Sequence, residues 1–251
     1  MMEIVEQNEV WKEPGEDMTY SHTKFILRKG DEYFYSRSSH RYRPLETVFP
    51  YDLEVYPIPA EDLWPAFPNN LTAAPDPLPA HCYVKRPSLI HYAEDHVFRP
   101  RDLLLEEAQI CEVLLEHPHP NVAQYLGCVV QSAPNKIIGL CFVRYETTLA
   151  DRLNTQRCPL NRAACFSGIE LGLRHLHSLG LIHNDLNPRN IMFQANHIPV
   201  IIDFDSCRQE GDKLLKGGTW GWSDESARFA SRANDYYGLQ KIREAIYCCN
   251  P

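Results

Sequence analysis

The chain lacks the features that mark several classes of protein. No apolar run approaches the roughly 18 residues that a membrane-spanning helix needs. Its nine cysteines form no C-x-x-C pair and no Cys/His spacing typical of zinc sites. Basic residues are the minority, at 25 against 33 acidic ones, and the net charge of −8 argues against nonspecific nucleic-acid binding. We therefore expect reduced thiols, an intracellular and cytoplasmic location, and neither membrane nor nucleic acid as a partner.

Glycine is also scarce in the first third of the chain. Only Gly15 and Gly30 precede Lys85, and they stand too far apart to form a G-x-G-x-x-G loop. Backbone amides of such loops commonly surround phosphate groups. A glycine-rich phosphate loop upstream of Lys85 is therefore excluded.

The composition is that of a folded protein, because 44% of the 251 residues are hydrophobic. The acidic, polar residues 1–20 are expected to be a mobile or loosely docked end. Residues 25–27 and 33–35 are apolar and aromatic and flank a Lys-Gly-Asp turn, which predicts a hairpin. Residues 43–80 are rich in proline, which forbids long regular elements. Their many aromatic side chains predict a fixed, extended wrapping segment.

The most informative stretch is residues 183–190, His-Asn-Asp-Leu-Asn-Pro-Arg-Asn. Asn190 follows Asp185 by five positions, and Asp203 ends the apolar run Val200-Ile201-Ile202. Apolar residues at helical spacing over 161–179 predict a helix before the motif. The motif therefore lies in a loop between a helix and a short β-hairpin.

This combination resembles the catalytic loop and metal-binding strand of the protein kinase-like superfamily, and more narrowly the compact kinase-like proteins of filamentous fungi. The resemblance implies an α+β fold with two lobes. It implies a wrapping segment with the hairpin over 1–80, a small and mostly β N-lobe with one key helix over 81–145, and a truncated, mostly α C-lobe over 146–251. It also implies that ATP and Mg²⁺ are the cofactors.

The resemblance assigns roles to individual residues. Asp185 is the expected catalytic base, and Asn190 and Asp203 are expected to hold Mg²⁺. Lys85, at the end of a strand-like Tyr-Val-Lys run, matches the lysine that clamps the nucleotide phosphates. Glu107 matches the helix glutamate that holds this lysine.

The helix phase leaves Glu106 as an alternative to Glu107. Val143 corresponds to the residue at the back of the adenine pocket, called the gatekeeper. The next residues, Arg144, Tyr145 and Glu146, correspond to the hinge that contacts adenine through its backbone.

Several positions depart from the family pattern. Asn184 replaces the usual arginine, so a switch based on an activation-loop phosphate is not expected. Arg189 is a candidate for the positive charge near the transferred phosphoryl group, or a plain surface arginine. Asp205 replaces a glycine and either adds a metal ligand or, as we favour, faces solvent. Residues 217–225 resemble an acceptor-side loop, and Asp235 resembles the aspartate that anchors the catalytic loop.

Three functions stay open at this stage. The first is ATP- and Mg²⁺-dependent phosphoryl transfer to serine or threonine hydroxyls of a protein. The second is phosphorylation of a small molecule, as in aminoglycoside or choline kinases, which Asn184 and Asp205 favour. The third is a pseudokinase that binds without catalysis, which the missing glycine loop and short C-lobe favour. The sequence predicts neither the substrate nor the oligomeric state.

Overall fold

The computed structural model has an α+β fold, as predicted, with a β-rich N-terminal part and a helical C-terminal part. It describes residues 1–12, 19–42, 47–90, 92, 99–133, 135–155, 160–215 and 217–248. Gly15 and residues 43–46 of the predicted proline-rich segment lie outside these ranges.

The chain divides into two compact units. The first comprises residues 1–67, 86–105 and 131–138, and the second comprises residues 68–85, 106–130 and 139–251. The predicted division at residues 80 and 145 stays a prediction.

The first unit contains a four-stranded antiparallel sheet. Its strands, adjacent in chain order, are β1 (Glu3–Lys12), β2 (Thr19–Lys29), β3 (Glu32–Ser38) and β4 (Tyr56–Ile58). β2 and β3 form the hairpin that the sequence predicts. A single helical turn, α1 (Ala60–Leu63), follows β4. The short lengths of β4 and α1 agree with the proline content of this region.

The expectation that residues 1–20 form a loosely docked end is wrong for β1, which pairs with β2 along its length. Its acidic side chains have partners distant in sequence. Glu3 pairs with Arg28 at 2.6 Å, and Glu6 accepts a hydrogen bond from the Leu89 amide at 2.8 Å. A local pattern of polar residues does not reveal partners so far along the chain. The pattern alone therefore predicted a loosely docked end.

An apolar core lies on one face of this sheet. Ile26 of β2 and Ile58 of β4 are buried with Leu63 and Leu89. The indole of Trp64 packs against this group and meets the ring of Tyr33 edge to face at 5.8 Å. The first unit therefore has hydrophobic stabilisation of its own.

The second unit contains most of a three-stranded sheet with the order β5 (Cys82–Lys85), β7 (Lys136–Val143), β6 (Tyr125–Gln131), in which β5 and β7 are antiparallel. The helix α2 (Pro100–Glu116) lies between β5 and β6 in the chain. Residues 59–81, all of them described, contain no glycine and form no regular strand. The segment directly before the strand that ends at Lys85 therefore contains no glycine hairpin.

The remaining elements build the helical part and position the motif. They are α3 (Leu149–Thr155), α4 (Arg162–Ser178), β8 (Leu181–Ile182), β9 (Ile191–Phe193), β10 (Pro199–Ile201), β11 (Arg208–Gln209) and α5 (Arg232–Cys248). Asn161 caps α4 by accepting a hydrogen bond from the Ala164 amide at 3.1 Å. Gly180, with φ of +74°, ends the helix. Within the described ranges, no helix is both long and apolar enough to cross a bilayer.

The core of the first unit gives a stability prediction. Ile26→Ala removes a fully buried side chain and is expected to lower the free energy of unfolding by about 2–5 kcal/mol. Urea denaturation measures the change. The matched control is Val5→Ala, on a side chain that is 41% exposed, with an expected change below about 1 kcal/mol. Equal changes for the two variants would contradict this packing.

Candidate active site

An imidazole braces the catalytic-loop motif from within. His183 is fully buried; its Nε2 donates to the Ile202 carbonyl at 3.0 Å, and its Nδ1 accepts from the Asp185 amide at 3.3 Å. Because Ile202 directly precedes Asp203, this one ring ties the segment that carries the expected base to the segment that carries the expected metal ligand.

A buried carboxylate on α5 holds the start of the loop. Asp235 is fully buried and accepts three hydrogen bonds. The donors are the His183 amide at 3.0 Å, the Asn184 amide at 2.7 Å and His177 Nε2 at 2.8 Å. A buried charge is costly unless it is fully hydrogen-bonded, so the Asp235 carboxylate strongly favours this one arrangement of the loop.

Asn184 has a backbone conformation that suits its residue type. Its φ is +63°, in the left-handed region where asparagine is enriched. Its Nδ2 donates to the carbonyls of Ile182 at 3.0 Å and Ser206 at 3.1 Å, and its Oδ1 accepts from Asn234 Nδ2 at 2.9 Å. The residue that replaces the family's arginine therefore links the loop to the segment after Asp203 and to α5 without any charge.

The Asp185 carboxylate is held at both of its oxygens. Oδ2 accepts from Asn190 Nδ2 at 3.0 Å, and Oδ1 accepts from the Thr219 amide at 2.6 Å. Asn187 Nδ2 donates to Thr219 Oγ1 at 3.2 Å. A Cβ at Gly218 would lie 2.7 Å from the Asn184 carbonyl oxygen, so only glycine allows residues 217–225 to approach the loop this closely.

Asn190 and Asp203 present oxygen atoms. The Asn190 Nδ2 donates to the Asp185 carbonyl at 2.9 Å as well as to its carboxylate, which directs the amide oxygen away from Asp185. The Asp203 side chain is one-third exposed, and its backbone is left-handed, with φ of +67°. An amide oxygen and a carboxylate are ligands of the kind that Mg²⁺ prefers.

Lys85 contacts two carboxylates. Its Nζ lies 2.6 Å from Glu107 Oε1 and is also hydrogen-bonded to Asp203 Oδ1. Burial lowers the pKa of Lys85, but the charges of Glu107 and Asp203 outweigh burial and hold the pKa above its ordinary value. Lys85 therefore stays charged across the physiological pH range and joins β5, α2 and the segment after β10.

The structure distinguishes the two neighbouring glutamates of α2. Glu107 is nearly buried, faces Lys85 and also accepts a hydrogen bond from the Phe204 amide at 3.2 Å. Glu106 instead has an oxygen 2.9 Å from Arg208 Nη2. The contact predicted for Lys85 is thus made by Glu107 and not by the alternative, Glu106.

A cavity of about 370 Å³ adjoins Lys85 and Asp203. Its walls are mostly apolar and aromatic: Tyr83, Ala123, Phe142, Val143, Arg144, Tyr145, Met192 and Ile202. The Tyr145 hydroxyl accepts a hydrogen bond from the Gln124 amide at 3.1 Å, and burial raises the pKa of this phenol. Val143 and Tyr145, predicted from the sequence, therefore line the same cavity as Lys85 and Asp203.

Two amides of the predicted hinge are bonded within the chain. The Arg144 amide donates to the His81 carbonyl at 3.1 Å, and the Glu146 amide donates to the Phe193 carbonyl at 3.4 Å. The adenine contact predicted for this backbone stays a prediction. If adenine binds here through the Glu146 amide, the long bond to Phe193 must open.

Two further predicted residues differ in their relation to this cluster, because the charge of Asp205 acts on Lys85 and Glu107 whereas Arg189 stands apart. The Arg189 side chain is exposed, and its guanidinium makes no hydrogen bond or ion pair with any described residue. The Asp205 carboxylate, expected to face solvent, is half-buried and accepts a hydrogen bond from Ser206 Oγ at 3.1 Å. Their roles stay predictions.

Two residues at the site were given no role by the sequence motifs. Thr219 donates its amide to the Asp185 carboxylate, and the Gly-Thr pair within residues 217–225 was the available signal for it. Arg208 contacts Glu106 on α2, and no local pattern marks it.

Comparison with known proteins establishes the family. The family model described as the protein kinase domain matches residues 91–218, just over half of the chain. The chain therefore belongs to the protein kinase domain family, which confirms both the predicted superfamily and the kinase-like character of the α+β fold.

Similar proteins share only part of their length with this chain. Serine/threonine-protein kinase SSK22 of Saccharomyces cerevisiae is 31% identical over 107 residues, which are 42% of this chain and 8% of that protein. Serine/threonine-protein kinase Tao of Drosophila melanogaster is 32% identical over 123 residues, which are 48% of this chain and 12% of that protein. MAP kinase kinase kinase win1 of Schizosaccharomyces pombe is 33% identical over 106 residues, which are 39% of this chain and 7% of that protein.

The Asp235 anchor gives the prediction for this site. Asp235→Asn replaces an acceptor oxygen by a donor that faces other donors, so the free energy of unfolding should fall by about 3 kcal/mol. The melting temperature should fall by roughly 6–12 °C, as measured by circular dichroism. Asp212→Asn, on an exposed carboxylate, is the control. An unchanged melting temperature in Asp235→Asn would refute the anchor role.

Proposed function

We propose that this chain is an ATP- and Mg²⁺-dependent protein kinase that phosphorylates serine or threonine hydroxyls. Membership of the protein kinase domain family supports protein kinase-like phosphoryl transfer in general. The names of two relatives, both serine/threonine-protein kinases, support serine and threonine hydroxyls as the acceptors. The observation that carries the proposal is the oriented Asp185 carboxylate in the same unit as the Lys85–Glu107–Asp203 cluster.

The residues present fit a magnesium-bound nucleotide. Asn190 and Asp203 offer hard oxygen ligands, and Mg²⁺ is normally held by only one or two such side chains together with substrate phosphates. Lys85 offers a fixed positive charge for phosphate oxygens. The adjoining cavity of about 370 Å³ lies within the size range of small-molecule sites. When bound, Mg-ATP supplies the phosphoryl group and a charge that stabilises it during transfer.

The protein's own residues would then orient the acceptor hydroxyl and neutralise the negative charge of the phosphates. Asp185, fixed through Asn190, would accept a hydrogen bond from the acceptor hydroxyl and then its proton. The Thr219 amide occupies one lone pair of Oδ1 and Asn190 occupies one of Oδ2, so the hydroxyl would use a remaining lone pair of this carboxylate. Phosphate oxygens would share Lys85 with Glu107 and replace Asp203 there, releasing the Asp203 carboxylate toward the metal.

A pseudokinase is the second candidate. The observation in its favour is that residues 59–81 offer no glycine and no strand from which a phosphate lid could form ahead of β5. Phosphate binding without such amides depends more heavily on Lys85 and the metal ligands. Nucleotide binding without turnover is the outcome that this second function predicts.

Phosphate transfer tests the proposal. Wild-type protein with Mg²⁺ and labelled ATP should incorporate phosphate into serine- and threonine-containing protein substrates. Asp185→Asn should lower the rate by about 100-fold to 10,000-fold, because it removes the proton acceptor. Asp212→Asn, the same change on an exposed side chain, should leave the rate unchanged.

Other outcomes separate the alternatives. Transfer only to aminoglycosides or choline would replace the proposal by small-molecule phosphorylation. Mg-ATP binding with no transfer to any acceptor would replace it by the pseudokinase function. If the wild-type protein and Asp185→Asn transfer phosphate at equal rates, the transfer comes from a contaminant.

A further inference from the structure

Arg208 is a largely buried cation outside the predicted site residues. Its side chain is only 10% exposed, although it lies in the short strand β11. The guanidinium donates to two carbonyl oxygens, of Asp205 at 3.2 Å and of Cys207 at 2.6 Å. Its Nη2 also lies 2.9 Å from Glu106 Oε2, in an ion-pair contact without an aligned hydrogen bond.

The two ends of this contact lie next to the residues that meet at Lys85. Glu106 directly precedes Glu107 on α2, and Asp205 follows Asp203 by two positions. Lys85 links Glu107 to Asp203, and Arg208 links the neighbours of both. The chain thus joins α2 to the segment after β10 by two separate cations.

Burial of an arginine is costly unless its donors are matched. The guanidinium contacts a carboxylate and two carbonyls from two different nitrogens of one rigid plane, whereas an ammonium group presents its three donors from a single point. Such a contact contributes mainly to position, because loss of Glu106 would leave the charge of the buried Arg208 poorly solvated, whereas the Glu106 side chain is itself 44% exposed. The Asn184 side chain supports the same segment through the Ser206 carbonyl.

We propose that Arg208 is a positioning residue that keeps Glu107 and Asp203 together around Lys85 by fixing α2 to the segment that follows Asp203. The anion that it uses, Glu106, is built into the chain, so this link needs no added phosphate. The proposal rests on the proposed function for its kinetic consequence, but the structural link can be measured without nucleotide.

Thiol protection measures the link directly. Cys111, one turn after Glu107 on α2, and Cys207, next to Arg208, are both fully buried. Opening of the link should expose both thiols, because protection reports local opening. In Arg208→Ala, modification of these two cysteines by a thiol reagent, resolved by peptide mass spectrometry, should be at least about tenfold faster than in wild type.

Three variants make the measurement specific. Glu106→Gln removes the charge without leaving a cavity and should accelerate the same two thiols. The exchange Glu106→Arg with Arg208→Glu should restore little of their protection, because a carboxylate at position 208 cannot donate to the carbonyls of Asp205 and Cys207. Arg174→Ala removes an arginine from an exposed pair with Glu170 at 3.8 Å and should change nothing, since such pairs contribute little.

Kinetics supply the second readout. Misplacement of catalytic groups by about 1 Å can lower rates by about 100-fold, so kcat should fall tenfold to a hundredfold in Arg208→Ala while the KM for ATP changes less than threefold. Arg208→Lys should restore kcat only in part. Phosphatase treatment of the wild-type protein should leave kcat unchanged.

The proposal is overturned if Arg208→Ala and Glu106→Gln match Arg174→Ala in thiol protection, or if phosphatase treatment abolishes activity. A wild-type protein without turnover would contradict the proposed function alone. In that case the rates of thiol modification decide the role of Arg208 by themselves.

Discussion

The candidate site depends on the contacts of one ammonium group, Lys85 Nζ, with two carboxylates. This group joins β5 to Glu107 on α2, 22 positions along the chain, and to Asp203, 118 positions along. Two carboxylates so close together repel unless a cation neutralises them, and Lys85 is the cation that touches both. The interaction joins a strand, a helix and the segment that carries Asp203, which are far apart in sequence, beside one cavity.

The other half of the site is held by hydrogen bonds to a second buried charge. Asp235 accepts hydrogen bonds from three donors, two of which are amides of the loop that carries Asp185. In this loop, the Asp185 carboxylate accepts hydrogen bonds from Asn190 and Thr219. Both arrangements are made by side chains and backbone amides of the chain itself. The site is therefore assembled by side chains that the chain always carries, which agrees with the replacement of the family's arginine by Asn184.

The local parts of this site were predictable from sequence, because spacing within one loop fixes them. Asp185, Asn190 and Asp203 follow from a short motif, and α4 follows from its apolar period. Three features were not settled by local patterns. Glu107 was predicted as the partner of Lys85, but Glu106 stayed open because sequence does not determine the helix phase to one residue. β1 is stabilised by partners far along the chain. Arg208 donates to backbone carbonyls, and such contacts cannot be recognised from residue types.

Binding of Mg-ATP to wild type and to Lys85→Met tests the central claim most directly. The account predicts a measurable dissociation constant for the wild-type protein that depends on Mg²⁺. It predicts that Lys85→Met weakens binding at least about tenfold, since a charge-assisted contact to phosphate is lost. Lys213→Met, at an exposed position, should bind as wild type does. Absence of binding at millimolar nucleotide, or equal binding by wild type and Lys85→Met, would contradict the account.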